Sequence, residues 1–144
     1  MRRPLRKKVL YVDDDVAFAR LVAGFLADEF EVIAEATGEA ALERVAPPRG
    51  SATATQGQTF DVILADLDLP GIKGQELFVR LRARSSDLAR RMAFTSSADA
   101  MPGGGEVPSS VAVRYLKKPF DRESLLTLVR RVLRVVEGRP TWPA

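Results

Sequence analysis

The chain has 144 residues, of which 46% are hydrophobic and 28% are charged, and its net charge is +3. This length suits one globular domain and is too short for a catalytic domain joined to a separate output domain. Cysteine and histidine are both absent from the sequence, which excludes disulfides, cysteine zinc sites, an imidazole base and a phosphohistidine within this chain.

The N-terminal residues 1–6 form a basic arm that we expect to be solvated rather than to bind nucleic acid directly. The arm lacks the apolar part of a signal peptide, and no apolar run approaches the roughly 20 residues of a membrane span. We therefore expect a cytoplasmic protein without membrane insertion.

Short apolar runs alternate with helical stripes along the first half of the chain. Residues 9–12 predict a strand, and the helix after it has one apolar face, formed by Phe18, Leu21, Val22, Phe25 and Leu26. Residues 31–35 predict a second strand, after which Thr37 can cap a helix. Residues 47–59, rich in Gly, Ser, Thr and Pro, predict a long loop.

The second half continues the alternation. Residues 62–66 predict a third strand, followed by a helix that begins near Gly74, and residues 92–95 and 113–117 predict two further strands. The final helix is predicted to begin after Asp121, as its N-cap, and to stop at Gly138.

The segment 98–110 lies where a helix should connect the fourth and fifth strands. It holds three consecutive glycines, residues 103–105, between two prolines. Each glycine opposes a helix by about 1 kcal/mol and each proline by about 3 kcal/mol. We expect the fourth helix to be short or missing, and residues 101–108 to form a mobile loop.

Five strands alternating with helices predict an α/β fold with three layers, a parallel sheet between two layers of helices, and right-handed crossovers. We assign residues 7–136 to this one domain and residues 137–144 to a short C-terminal tail, with no attached output domain.

Polar residues close four of the predicted strands: Asp13 and Asp14, Asp66, Thr95 and Lys118. In an open parallel sheet, such strand ends gather in the crevice where ligands bind. Adjacent carboxylates form an oxygen-rich site that suits Mg²⁺, and the pattern predicts a Mg²⁺-assisted phosphoacceptor. Because these carboxylates repel one another, we expect Asp13→Ala to weaken Mg²⁺ binding and to stabilise the metal-free fold.

The order of these motifs resembles the receiver domain of response regulators in two-component signalling. The matching stretches are residues 9–15, residues 66–71 with Gly74, Thr95-Ser96, and Tyr115 with residues 118–120. The resemblance covers about residues 7–136. It implies a five-stranded, flavodoxin-like parallel sheet in the order 2-1-3-4-5.

The resemblance also implies chemical roles at the site. Asp66 would be the nucleophile that accepts a phosphoryl group from a partner's phosphohistidine, carried by a sensor histidine kinase or a histidine phosphotransfer protein. Asp13, Asp14, Asp66 and the backbone carbonyl of Asp68 would hold the Mg²⁺ ion. The protein would be a self-phosphorylating acceptor with slow autodephosphorylation, not a turnover enzyme.

Three further residues take roles from the same resemblance. Thr95 and Lys118 would contact phosphoryl oxygens, and the junction of Lys118 with Pro119 would be a cis peptide. Thr95 and Tyr115 would form the switch that carries the phosphorylated state to the surface. The output would be a protein target, which the sequence does not identify, and a weak homodimer is compatible with it.

Two departures and three alternatives stand beside this interpretation. Lys73 replaces a residue that is commonly acidic or small and polar in the family, and the altered segment 98–110 leaves open a pseudo-receiver that binds partners without phosphorylation. Residues 66–68 also match the Asp-x-Asp of haloacid-dehalogenase-like phosphatases, although Pro70 stands where those enzymes have Thr or Val. An FMN-binding flavodoxin is disfavoured, because no phosphate-binding loop follows the first strand.

Overall fold

The computed structural model of the protein describes residues 6–47, 58–98, 107–112 and 114–138. Within these ranges, five parallel strands form one sheet in the order β2-β1-β3-β4-β5. The strands are β1 (Lys7–Val12), β2 (Phe30–Glu35), β3 (Val62–Asp66), β4 (Met92–Ser96) and β5 (Tyr115–Lys117). The predicted flavodoxin-like sheet order is confirmed.

Six helices accompany the sheet in the described part of the chain. They are α1 (Val16–Leu26), α2 (Gly38–Val45), α3 (Gly74–Arg84), α4 (Ser86–Arg90), α5 (Ser109–Ala112) and α6 (Arg122–Val136). None of them is long and apolar enough to cross a bilayer.

The sheet is buried on both faces, which gives the predicted three layers. One core joins the inner sides of α1 and α6 to the sheet and includes Val9 and Tyr11, whereas the other lies under α2 and α3 and includes Leu10 and Val12. The alternation along β1 follows from the two-residue period of a strand. Since helices cover both faces, the open carboxyl edge of the sheet is left for ligands.

Side-chain caps fix where three helices begin. Asp15 accepts a hydrogen bond from the Phe18 amide, Thr37 from the Ala40 amide, and Asp121 from the Ser124 amide. The caps predicted at Thr37 and Asp121 are confirmed. Because Asp15 caps α1, the two aspartates before it are left for the site.

The structure corrects the predicted apolar face of α1. Leu21 was expected to face the core, but it is 46% exposed, and the buried residues of the helix are Ala19, Val22 and Leu26. Phe18 and Phe25 are only partly buried. Apolar residues cover more than half of this helix, so packing on the sheet decides which of them are buried.

Two element boundaries also differ from the prediction. β5 begins at Tyr115 rather than at residue 113, and Arg114 lies outside the strand as a buried residue whose Nη1 donates to the Arg90 carbonyl at 2.6 Å. That carbonyl ends α4, a helix the sequence did not predict. With Leu88 and Ala89 as its apolar residues, α4 has too few positions to show a helical stripe.

In the described part of the connection between β4 and β5, the helix is α5, which has four residues. This agrees with the short helix predicted between the fourth and fifth strands. Residues 101–106 of the predicted mobile loop lie outside the described residues, so that loop stays a prediction. The same holds for residues 1–5 of the basic arm, for 48–57 of the long loop, and for 139–144 of the tail.

A close approach at Gly74 generates a stability test. A Cβ atom at this first residue of α3 would lie 2.7 Å from the Asp66 carbonyl oxygen and 3.0 Å from the Leu67 Cα. We expect Gly74→Ala to lower the free energy of unfolding by about 1–3 kcal/mol, because the end of β3 must shift. Chemical denaturation measures the change.

The matched control is Gly24→Ala in α1, where nothing lies within 4 Å of an added Cβ. Alanine has the higher helix propensity, so this variant should be more stable than wild type by up to about 1 kcal/mol. Equal denaturation midpoints for the two variants would contradict the assigned clash.

Candidate functional site

The register of the sheet places the predicted site residues at neighbouring strand ends. Val12 pairs with Ala65 in β3, and Asp66 pairs with Thr95 in β4, so Asp13, Asp66 and Thr95 follow one another across the carboxyl edge. These three side chains are buried, whereas Asp14 is exposed. The predicted crevice therefore exists and is partly closed to solvent.

Lys118 reaches this crevice from the end of β5. Its Nζ lies 2.6 Å from Oδ2 of Asp13 and 2.9 Å from Oδ2 of Asp66, so one ammonium group bridges two carboxylates. The same nitrogen lies 4.7 Å from the ring centre of Phe18, which adds a cation–π contact. The peptide between Lys118 and Pro119 is cis, as the resemblance implied.

Burial and hydrogen bonding act in opposite directions on this ion pair. Desolvation raises the pKa of Asp66 above its ordinary value, and the hydrogen bonds from the Asp68 amide and Lys118 offset this only in part. Burial opposes the charge on Lys118, but its hydrogen bonds to Asp13 and Asp66 outweigh that effect and raise its pKa. The ion pair therefore favours the cationic form of Lys118, while burial makes ionisation of Asp66 less favourable than it is in water.

Asp13 is surrounded by hydrogen-bond donors. Its Oδ2 accepts from the Tyr11 hydroxyl at 2.6 Å as well as from Lys118, and its Oδ1 accepts from the Asp15 amide at 3.0 Å. Burial first, and then the hydrogen bond to Asp13, raise the pKa of Tyr11 far above its ordinary value. These contacts reverse our expectation for Asp13→Ala in the metal-free protein, because the change would leave the buried Tyr11 hydroxyl and Lys118 without this acceptor.

Three carboxylates are close enough to share a metal ion. Asp13, Asp14 and Asp66 each offer one oxygen, and these atoms lie within 4.8 Å of one another. Oxygen donors of this kind suit Mg²⁺. The fourth predicted ligand, the Asp68 carbonyl, belongs to the residue whose amide donates to Asp66 Oδ1 at 3.0 Å. Its role as a ligand stays a prediction.

The predicted switch residues are not hydrogen-bonded to each other in the described residues. Thr95 is fully buried, and its Oγ1 makes no hydrogen bond of good geometry within the described residues, although it lies near enough to the Tyr11 hydroxyl to lower the pKa of that group. Tyr115 is half-buried, and its hydroxyl donates to the Ala98 carbonyl. A buried hydroxyl without a partner is costly, and here it lies beside Asp66 at the strand ends.

A hydrogen-bonded link between two loops was missed in the sequence. The Ser96 hydroxyl donates to Oδ2 of Asp68 at 2.9 Å and accepts from the Ala98 amide at 3.1 Å. Together with the bonds from Asp68 to Asp66 and from Tyr115 to Ala98, it forms a continuous polar path from the Asp66 carboxylate to Tyr115. In the sequence, the one hint of this link is the hydroxyl residue Ser96 directly after Thr95.

Comparison with known proteins identifies the family. Residues 9–130 match the model of the response regulator receiver domain. The chain belongs to this family. Receiver domains are in general regulatory modules of two-component signalling rather than turnover enzymes, as the sequence led us to expect.

Relatives and solved structures agree with this assignment. The receiver is 32% identical over 138 residues to the DNA-binding response regulator MtrA of Mycolicibacterium smegmatis, covering 94% of this chain and 54% of that protein. The chain spans about half the length of the curated relatives it matches. Among solved structures, it is similar to the chemotaxis response regulator CheY4 of Vibrio cholerae, with 29% identity, a TM-score of 0.70, and coverage of 90% of this chain and 100% of that one.

A second solved structure gives the same result. The N-terminal domain of a response regulator/sensory box/GGDEF protein from Carboxydothermus hydrogenoformans is 28% identical with a TM-score of 0.73, covering 92% of this receiver and 98% of that chain. Both matches extend over nearly the whole of the solved structures concerned. The receiver fold therefore accounts for most of the chain.

The raised pKa of Asp66 generates a test on the metal-free receiver. Because the folded-state pKa lies above the unfolded value of about 3.9, ionised Asp66 lowers stability at neutral pH, and this cost is relieved as pH falls through the raised pKa. We expect Asp66→Asn to be more stable than wild type at pH 7, with the difference shrinking on acidification. Urea denaturation in EDTA at several pH values measures it.

The competing effect is the ion pair with Lys118, which the amide cannot replace. If Asp66→Asn is less stable than wild type at pH 7, the ion pair outweighs the desolvation of the carboxylate, and the assigned cause of the pKa shift is wrong.

Proposed function

We propose that this receiver is a phosphoacceptor of a two-component phosphorelay and takes a phosphoryl group onto Asp66. The observation that carries the proposal is the bridge from Lys118 to Asp13 and Asp66, with the buried hydroxyl of Thr95 beside it on β4. Since the chain has no histidine, the donor phosphohistidine belongs to a partner, a sensor histidine kinase or a histidine phosphotransfer protein.

The transfer needs one nucleophile and several groups that neutralise charge. A carboxylate oxygen of Asp66 attacks the phosphorus, the P–N bond to the donor imidazole breaks, and its electron pair leaves with the imidazole. The product is an acyl phosphate on Asp66. Lys118 Nζ, which already touches Oδ2 of Asp66, would move onto a phosphoryl oxygen, and the Thr95 hydroxyl would donate to another.

Charge at the site supports a divalent cation. Three carboxylates, Asp13, Asp14 and Asp66, and one ammonium group, Lys118, leave a formal charge of −3 + 1 = −2. We propose that these carboxylates and the Asp68 carbonyl hold Mg²⁺. When bound, the ion offsets the repulsion between the carboxylates and an incoming phosphoryl group.

Thr95 and Tyr115 supply the proposed switch. Recruitment of the Thr95 hydroxyl by the phosphoryl group would vacate space beside it, and Tyr115 would exchange its bond to Ala98 for an inward position. The exposed side of β5 and α6 would change with it, which gives a protein target two different surfaces to bind. Direct nucleic-acid binding is not part of this proposal, and a weak homodimer is compatible with it.

We also propose residues 7–136 as the receiver unit, in line with the family match to residues 9–130. A cytoplasmic location belongs to the same proposal, because a kinase donor draws its phosphoryl group from ATP inside the cell. Slow autodephosphorylation would return the receiver to its resting state.

Phosphoryl incorporation tests the proposal directly. Incubation with Mg²⁺ and acetyl phosphate should add one phosphoryl group to the wild type and none to Asp66→Asn, because the amide keeps the shape and loses the nucleophile. Mass spectrometry of the intact protein measures the addition, and peptide mapping locates it.

The control is Asp61→Asn, which neutralises a carboxylate just before the other end of β3, where Asp61 accepts from the Lys8 amide. This variant should be labelled as the wild type is. Labelling of Asp66→Asn would refute the nucleophile, and a wild type that gains no phosphoryl group would favour the phosphorylation-independent pseudo-receiver.

A further inference from the structure

Tyr11 is a buried residue of β1 with a polar contact at the site. It lies two residues before Asp13, so both side chains project to the same side of the sheet, and the Asp13 amide extends the pairing with β2 by donating to the Glu35 carbonyl. The ring is fully buried in the core under α1 and α6. Its hydroxyl meets Oδ2 of Asp13 at 2.6 Å.

The two oxygens of the Asp13 carboxylate accept different numbers of hydrogen bonds. A carboxylate oxygen has about two lone-pair directions. Oδ2 uses both of them, for the Tyr11 hydroxyl and Lys118, whereas Oδ1 uses one, for the Asp15 amide. Among the described residues, nothing occupies the second direction of Oδ1, which is left for a metal ion.

We infer that Tyr11 is a positioning residue, which holds the Asp13 carboxylate so that Oδ1 is presented to the Mg²⁺ ion. This inference rests on the proposed metal site. Lys118 is shared with Asp66 and moves to the phosphoryl group in the proposed transfer, so of the two described donors to Oδ2 Tyr11 would be the one that stays. Packing of the Tyr11 ring on all sides makes it the rigid one of the two donors.

A purely structural role for the hydroxyl makes a different prediction. Buried tyrosines usually find a hydrogen-bond partner, and such a bond would affect folding without affecting the metal. Partners of metal ligands, in contrast, typically change metal affinity by about 10- to 100-fold when they are removed. Metal affinity therefore separates the two roles.

The experiment titrates Mg²⁺ into the full chain by calorimetry for wild type and Tyr11→Phe, which keeps the ring and loses the hydroxyl. We expect the variant to bind Mg²⁺ about tenfold more weakly, with an unchanged circular dichroism spectrum. The Mg²⁺ concentration that gives half-maximal acetyl phosphate labelling should rise by the same factor, while the maximal labelling rate is kept.

The control is the same substitution in an Asp13→Ala background, which forms a double-mutant cycle. If Tyr11 acts through Asp13, adding Tyr11→Phe there should leave Mg²⁺ affinity unchanged. Equal affinities of wild type and Tyr11→Phe, or an equal loss in both backgrounds, would overturn the inference. A wild type that binds no Mg²⁺ would refute the proposed metal site itself, which the first titration alone reveals.

Discussion

The bridge from the Lys118 ammonium to Asp13 and Asp66 is the interaction on which the site depends. It ties the ends of β1, β3 and β5 together across the open edge of the sheet. Two ionised carboxylates in a buried crevice would otherwise repel each other at a high cost in free energy. A single cation balances both, which lets a strongly acidic cluster exist within a closely packed fold.

Lys118 compensates only part of the negative charge at the site, and this leaves groups that a metal ion or a phosphoryl group can bind. Burial still raises the pKa of Asp66, Asp14 is exposed, and the Thr95 hydroxyl lacks a partner among the described residues. Each of these groups would gain a favourable contact from a divalent cation or a phosphoryl group. The resting site therefore carries costs in free energy that ligand binding can remove.

The strand ends could be read from the sequence, but their hydrogen bonds could not. Asp13, Asp66 and Lys118 follow short apolar runs, and a parallel sheet brings such ends together whatever the details of packing. The hydrogen bonds that Tyr11 and Lys118 donate to Asp13 depend on side-chain placement. The sequence therefore could not predict whether Asp13→Ala stabilises or destabilises the metal-free fold. The predicted burial of Leu21 was wrong for a related reason. The apolar stripe of α1 is wider than the face that packs on the sheet, so the sequence does not show which edge of the stripe is exposed.

The two sides of Asp66 are held in different ways: by a tight backbone contact at Gly74 on one side, and partly by side-chain hydrogen bonds on the other. The start of α3 rests against the Asp66 backbone with no room for a methyl group, so the end of β3 and the start of α3 must shift together. On the other side of Asp66, the side-chain hydrogen bonds of Ser96 and Tyr115 add to the backbone pairing of β3 with β4, and these side-chain bonds can be exchanged without moving a helix. A rearrangement that follows a change at Asp66 would therefore meet least resistance through these side chains, toward β5.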